Sequence, residues 1–152
     1  MVRLILLAAL ASVAMEFVAY AAHRFVYHGF LWVLHRSHHT PRKGAFELND
    51  LFPLFFAGVS VALFLYGMAD PDRADLVAVS IGVSLYGVVY FFIHDVYIHR
   101  RIKSLPLRIP LLLTMKKAHA IHHRDGGEPF GLLFFANPDR VRREQVEEAD
   151  AA

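Results

Sequence analysis

The chain of 152 residues contains no cysteine. This absence excludes a disulfide scaffold and any metal site made of thiolates. The net charge is also small, at +2, and we predict no nucleic-acid partner. What the chain has in excess is apolar surface, because 56% of its residues are hydrophobic, against the roughly 45–50% of a soluble domain. At this length the composition predicts one domain, placed in a membrane.

Ionisable residues are nearly absent from three apolar runs, residues 4–22, 51–69 and 76–93. Each run is about long enough to cross the hydrocarbon of a bilayer as a helix. We therefore predict an all-α integral membrane helix bundle with about three spanning helices. The middles of the second and third runs hold no ionisable group. An ion pathway needs such groups, so a histidine-rich zinc transporter is only a remote alternative.

The first run contains one charged residue, Glu16. A carboxylate is costly inside a membrane, so Glu16 is either part of a functional site or a protonated or helix-paired residue with a structural role. The run also has the pattern of a signal peptide, because it ends at Ala19-Tyr20-Ala21, which resembles a cleavage site. We expect it to be retained, because the next helical turn already holds His23.

Four further segments surround these runs. Residues 25–34 are expected to continue the first helix out of the membrane. Residues 100–117 have an apolar middle that is too short to span, and we predict that they lie at the interface or re-enter the membrane. Residues 129–136 are apolar and are predicted to lie along the membrane surface. We assign residues 1–138 to the membrane-embedded domain and residues 139–152 to a charged, disordered tail.

All ten histidines fall into two copies of one pattern, a pair five residues apart followed by an H-x-x-H-H box. Positions i, i+3 and i+4 share a face of an α-helix, so each box presents up to three imidazoles in one direction. Ten imidazoles suit two metal ions, at about five each. The first copy is His23, His28, His35, His38 and His39, and the second is His94, His99, His119, His122 and His123.

The five-residue spacing of each pair is harder to place on an α-helix. At about 3.6 residues per turn, the second ring is rotated by roughly 140° from the first. Either the helix bends or ends at these positions, or the two rings of a pair serve different ions. Gly29 directly follows His28 and would suit a helix end.

The hairpin formed by the second and third spans returns the chain to the side that it left, so all four histidine groups lie at one face of the membrane. Of the 16 Lys and Arg residues, only Arg3 and Arg73 lie on the far side. The positive-inside rule therefore predicts that the histidine face, and with it the site, lies on the cytoplasmic side of the membrane.

Imidazole binds iron, zinc, copper and nickel, so ligand type alone does not choose the metal. Zinc would make the site a hydrolase, whereas iron would make it an oxygen-activating centre. No obvious general base or oxyanion donor accompanies the histidines, and the surroundings are apolar enough for a lipid-like substrate. Both observations favour iron, with a structural zinc site as a remote alternative.

The motifs around the histidines resemble those of bacterial β-carotene 3-hydroxylases, within the fatty-acid hydroxylase superfamily. The resemblance covers roughly residues 15–136. The four histidine groups alone would indicate only the superfamily, and the context of the first half indicates the carotenoid branch. The matching motifs are HGFLW at 28–32, LHRSHH at 34–39, PRKGAFE at 41–47, NDLF at 49–52, HD at 94–95, HRR at 99–101, AH at 118–119, HH at 122–123 and FG at 130–131.

The resemblance implies a non-haem di-iron mono-oxygenase of the bacterial inner membrane, with its site facing the cytoplasm. Such an enzyme would use O2 and electrons from reduced ferredoxin to hydroxylate carbon 3 of a β-ionone ring, converting β-carotene through β-cryptoxanthin to zeaxanthin. Zinc could replace iron in purified protein. The alternative is a fatty-acid or sterol hydroxylase or desaturase of the same superfamily.

The resemblance also implies roles for individual residues. All ten histidines become ligands of the two irons, or immediate neighbours of them. Asp95 is expected to hold the N–H group of His99, or to be a solvated acid, and Glu47, Asn49 and Asp50 are expected to support ligands or to cap the next helix. The candidate ring pocket is Trp32, Tyr90, Phe130 and Phe134, unless these aromatics only pack. Ferredoxin would dock on Arg100, Arg101, Lys116 and Lys117, which otherwise reflect membrane topology.

Overall fold

The computed structural model describes residues 1–102 and 107–134, and residues 139, 143, 146, 147 and 150 singly. The described part is helical, which confirms the all-α prediction. The α-helices are α1 (Val2–Ala21), α2 (Trp32–His35), α3 (Leu51–Met68), α4 (Ala74–Tyr90) and α5 (Pro110–Asp125). Helices α1 and α4 continue directly as π-helices, Ala22–Phe30 and Phe91–Ile98, and short 3-10 turns, Leu48–Asp50 and Pro71–Arg73, precede α3 and α4.

Three helical stretches are long and apolar enough to cross a membrane, Val2–Phe30, Leu48–Met68 and Pro71–Ile98. Their number confirms the prediction, and the first includes most of the predicted extension over residues 25–34. Only 17–22% of the most apolar window of each stretch is buried inside the protein. The exposed remainder is apolar surface that a bilayer would cover, which is how a helix bundle without a large core of its own is stabilised.

Helix α4 packs between α1 and α3 through small residues. A Cβ atom added to Gly82 would lie 2.3 Å from the backbone oxygen of Ala8, so α1 and α4 approach closely at this point. On the other side, the hydroxyl of Ser60 donates to the backbone oxygen of Ser80 over 2.9 Å. Small residues and interhelical hydrogen bonds of this kind hold membrane helices together.

The contacts along these helices give their directions. Arg3 forms an ion pair with Asp75 near the first residues of α1 and α4, and Glu16 meets Tyr86 further along both helices. Helices α1 and α4 therefore run parallel, and α3 runs antiparallel to them. As a result, the end of α1, the end of α4 and the start of α3 lie at the same end of the bundle.

The segments after α4 only partly match the predictions. Of residues 100–117, positions 103–106 lie outside the described residues and α5 begins at Pro110. Residues 129–136 were expected on the membrane surface, but the described part folds against the bundle, and Leu132 is only 5% exposed. The reason is a set of hydrogen bonds to Glu16, described below. Residues 135–136 and most of the predicted tail lie outside the described residues.

Candidate metal centre

All ten imidazoles meet at the end of the bundle where α1 and α4 finish. Nine of them form two groups in which the ligand nitrogens of each group lie within 4.8 Å of one another. The tenth, His94, lies beside the second group, with its ring centroid 4.6 Å from that of His99 and 4.7 Å from that of His119. We call the groups the first cluster (His23, His28, His35, His39 and His122) and the second cluster (His38, His94, His99, His119 and His123).

The first cluster brings ring nitrogens close together in pairs. The Nε2 atoms of His23 and His35 are 3.0 Å apart, and those of His35 and His39 are 3.2 Å apart. His28 and His122 approach through Nε2 atoms at 3.1 Å. Nitrogens that bind one ion through bonds of about 2.0–2.1 Å are expected roughly 3 Å apart, so this arrangement fits a shared ion.

The second cluster shows the same spacing. The Nε2 atoms of His99 and His119 are 2.8 Å apart, and those of His38 and His94 are 3.2 Å apart. The Nε2 atom of His123 is buried and has no hydrogen-bond partner among the described residues. A buried polar atom without a partner is costly, and a metal ion at this position would satisfy it.

Each H-x-x-H-H box is divided between the two clusters. His35 and His39 belong to the first cluster, whereas the intervening His38 belongs to the second. In α5 the division is reversed, because His122 belongs to the first cluster and lies between two histidines of the second. The neighbouring His39 and His123 rings stack at 4.2 Å between centroids, so the clusters adjoin. This differs from the expectation that one box presents three imidazoles in one direction.

His23 and His28 lie in the first π-helix, whereas His94 lies in the second and His99 directly follows its last residue, so the helix changes form at both pairs. In a π-helix the backbone bonds run between residues five apart, as from the N–H of His99 to the oxygen of His94 over 2.9 Å. Both rings of a pair therefore point into one cluster, and the His23 and His28 centroids are 5.0 Å apart. The first π-helix kinks at Gly29, where φ is −97° and ψ is −126°, as its position after His28 suggested.

Three histidines of the first cluster are held by neutral oxygen atoms. The Nδ1–H of His23 donates to the backbone oxygen of Phe130 over 2.7 Å, and that of His122 donates to Gly127 over 2.6 Å. His35 donates to Oδ1 of Asn49 over 2.7 Å. Because these oxygens only accept, each Nδ1 carries the proton and each Nε2 keeps the lone pair that binds a metal. Asn49 was among the residues predicted to support the histidines, whereas the two backbone carbonyl groups were not. The Gly126-Gly127 turn is the sequence feature that could have indicated them.

Two histidines of the second cluster are held by carboxylates. His38 donates from Nδ1 to Oε2 of Glu47 over 3.1 Å. Asp95 was expected to hold His99. In the structure it lies 3.3 Å from Nδ1 of the adjacent His94 instead. The expectation assumed an α-helix, in which residues four apart share a face, whereas this stretch is a π-helix. Asp50 accepts from the backbone N–H of Glu47 over 2.9 Å, and the two residues form a capping box at the start of the 3-10 turn before α3, as the capping alternative predicted.

Arg101 lies partly buried among these carboxylates, so little of its charge faces outward for the predicted docking of a partner. Its Nη2 lies 2.7 Å from Asp50 and 3.3 Å from Glu47, and its Nε lies 3.2 Å from Asp95. These are ion-pair contacts without good hydrogen-bond angles, and the side chain is 15% exposed. Of the other predicted docking residues, Arg100 and Lys117 are exposed and Lys116 is half-buried.

Three of the four predicted pocket aromatics lie against the imidazoles. Phe134 does not, because it packs against Phe17 at 6.1 Å between centroids and is 57% exposed. The other three border the clusters, with Phe130 and Trp32 each at 5.1 Å from His28 and Tyr90 at 4.7 Å from His94 between ring centroids.

Glu16 lies inside the bundle, next to the site, and is 0% exposed. Its Oε2 accepts from the hydroxyl of Tyr86 over 2.8 Å. Its Oε1 accepts from the backbone N–H groups of Leu132 and Leu133 over 2.8 and 2.7 Å, and more weakly from Phe134. The carboxylate therefore holds the segment that carries Phe130, the residue whose backbone oxygen orients His23.

Burial lowers the pKa of His35, His122 and His123 to about 3, from 6.5 in an exposed imidazole. Neutral imidazole is the form that binds metal, so the site is preset for ligation. Between about pH 6.5 and 3 the unfolded chain takes up protons that the folded chain does not. The metal-free protein should therefore be most stable above pH 6.5, and each such histidine should remove at most about 1.4 kcal/mol per pH unit below it.

Thermal unfolding in detergent at pH 7.5, 6.5 and 5.5 measures this effect. We expect a small fall of the midpoint between pH 7.5 and 6.5, where the histidines of the unfolded chain begin to take up protons, and a larger fall between pH 6.5 and 5.5. A midpoint that rises on acidification would contradict the sign of these shifts.

The chain matches the family model described as "Fatty acid hydroxylase" over residues 8–142. It is 41% identical to a beta-carotene hydroxylase of Pseudescherichia vulneris, over 88% of this chain and 77% of the relative. It is 38% identical to a beta-carotene hydroxylase of Pantoea ananas, over 80% of this chain and 71% of the relative. Beta-carotene 3-hydroxylase 1, chloroplastic, of Arabidopsis thaliana is 39% identical over 81% of this chain, which spans only 41% of that longer protein. No solved structure matches. With most of its length matched, the chain belongs to the fatty acid hydroxylase family.

Proposed function

We propose that this chain is a carotenoid β-ring 3-hydroxylase that converts β-carotene through β-cryptoxanthin to zeaxanthin. The observation that carries the proposal is the pair of adjoining five-imidazole clusters at one end of a bundle that could span a membrane. The relatives named beta-carotene hydroxylase, which match 80–88% of the chain, support the choice of substrate.

Iron is the metal that fits this reaction. The donor set consists of neutral imidazoles, which suits several transition metals. Hydroxylation of a C–H bond needs a redox-active ion, and zinc has no redox chemistry. Bound iron would supply the activation of O2, with electrons from a donor such as reduced ferredoxin. A preparation loaded with zinc during overexpression would be inactive without contradicting the proposal.

Apolar residues border the clusters, as binding of an apolar ring would require. Phe130 lies against the first cluster and Tyr90 against the second, so apolar surface borders both. Trp32 is 37% exposed at the edge of the site, where a ring could enter from lipid. A carotenoid is about as long as a bilayer is thick, so one ring can reach the site while the polyene stays among the acyl chains.

The end of the bundle that carries the clusters faces the cytoplasm in this proposal, and the membrane is the bacterial inner membrane. The distribution of Lys and Arg supports this orientation. An acidic electron donor would dock on the exposed Arg100 and Lys117 beside the site, with Lys116 at the margin.

Pigment analysis in a bacterium that accumulates β-carotene tests the proposal. Expression of the chain should produce β-cryptoxanthin and zeaxanthin, and iron limitation should reduce both. The control strain carries the empty vector. Membranes that contain the protein and iron but no hydroxylated carotenoid would contradict the proposal. New hydroxylated or desaturated fatty acids in the same cells would point instead to the lipid-modifying branch of the family.

A further inference from the structure

The two clusters differ in what lies behind their imidazoles. The oxygens that hold His23, His35 and His122 of the first cluster are neutral amide or backbone oxygens. Those that hold His38 and His94 of the second cluster are carboxylate oxygens. The division follows the clusters without exception among these five ligands.

The carboxylates of the second cluster are held in place by Arg101. Glu47 uses the same oxygen, Oε2, to accept from His38 and to pair with Arg101 at 3.3 Å. Asp95 uses one oxygen for its neighbouring imidazole and the other for Arg101, at 3.2 Å. Each of these carboxylates therefore lies between a candidate ligand and the guanidinium. Asp50, at 2.7 Å from Arg101, completes the group.

The charges in this group do not balance. One guanidinium faces three carboxylates, and all four side chains are no more than 17% exposed. In such a partly desolvated place an excess of negative charge is costly unless a cation lies nearby. His38 and His94 lie between these carboxylates and the centre of the second cluster, where a divalent cation would provide the missing positive charge. The oxygens that hold first-cluster ligands carry no net charge.

A carboxylate behind a metal-binding imidazole fixes the ring and makes it a stronger donor, and its loss typically lowers metal affinity by about 10–100-fold. We propose that the two metal positions are unequal, that the second cluster binds its divalent ion more tightly and fills first, and that Arg101 is the positioning residue for its carboxylates. This inference rests on the proposed function only in requiring that both clusters hold ions.

Titration of the metal-free protein in detergent with Co2+, followed by visible absorption and by competition with a chelator, tests the inference. The wild-type protein should bind two ions in separable steps. His119→Ala should remove the tighter step, and His23→Ala should remove the weaker one. These assignments connect each step with its cluster without measuring turnover.

Two matched substitutions then change the charge behind one ligand in each cluster. Glu47→Gln keeps the shape and an acceptor for His38 but removes the charge, and it should weaken the tighter step by about 10–100-fold with little effect on the other. Asn49→Asp places a carboxylate behind His35 and should strengthen the weaker step. Arg101→Gln should weaken the tighter step, and Arg101→Lys should restore part of it.

The outcomes separate this inference from the proposed function. Two equal steps in the wild-type protein, or equal weakening of both steps by Glu47→Gln, would overturn the inference and leave the hydroxylase proposal intact. Failure to bind Co2+ at all would overturn both. If Glu47→Gln does not fold, Asn49→Asp still tests the inference. An unchanged difference in Co2+ affinity between the two binding steps of that variant would contradict it.

Discussion

His122→Ala is expected to abolish carotenoid hydroxylation. His122 is 0% exposed, its Nε2 lies 3.1 Å from that of His28, and its Nδ1 is already held by a backbone oxygen. The substitution therefore removes one of the five imidazoles of the first cluster, and we expect this cluster to lose its ion. His38→Ala is the counterpart in the second cluster. Both variants should still insert into the membrane, because neither residue lies in a spanning stretch.

Pigment analysis of cells that express each variant, together with the iron content of purified protein, measures this result. We expect no zeaxanthin and about one ion in place of two, with the remaining ion in the unaltered cluster. Lys43→Gln, an exposed change in the loop before α3, is the matched control and should behave as wild type. Normal product from either histidine variant would show that the residue is not a ligand.

Glu16→Ala is expected to destabilise the whole bundle and the first cluster with it. The change leaves the hydroxyl of Tyr86 and the backbone N–H groups of Leu132 and Leu133 without their acceptor. Each buried group left unsatisfied costs about 1–3 kcal/mol, so the total loss should reach several kcal/mol. Release of the segment also removes the backbone oxygen of Phe130 from His23.

Thermal unfolding and metal content in detergent measure both consequences. Glu16→Gln keeps one carbonyl acceptor and should be less destabilising than Glu16→Ala. Tyr86→Phe removes a single donor and should be the mildest of the three. If Glu16→Ala unfolds at the wild-type temperature, the carboxylate does not hold this segment.

The spanning helices could be predicted because the evidence for them is local. Hydropathy over about twenty residues decides whether a helix can cross a membrane, and neighbouring residues alone determine it. The same holds for Gly29, whose position after His28 indicated the break that the backbone shows. The presence of a metal site was also predictable, since the spacing of the histidines repeats along the chain.

The partners of the site residues could not be predicted, because they depend on residues far apart in the chain. Asp95 was assigned to the wrong imidazole, since the change from α-helix to π-helix after Tyr90 is not visible in the spacing alone. Arg101 carries the same charge as the exposed Arg100 beside it, and only the tertiary contacts show that Arg101 is partly buried among three carboxylates. Residues 129–136 are apolar enough for a membrane surface, but hydrogen bonds to a residue more than a hundred positions earlier hold the described part inside.

Apolar length and histidine spacing are properties of neighbouring residues, so they were enough to predict a bundle of membrane-spanning helices with ten imidazoles at one end. Which imidazole belongs to which cluster, and which oxygen lies behind it, follows only from the packing of distant segments. That choice depends on the register between α1 and α4, where Gly82 meets the backbone of Ala8, and on the π-helical turns that bring both rings of each pair to one side. A shift of one residue in either would rotate or displace the rings and separate ligands that now lie about 3 Å apart.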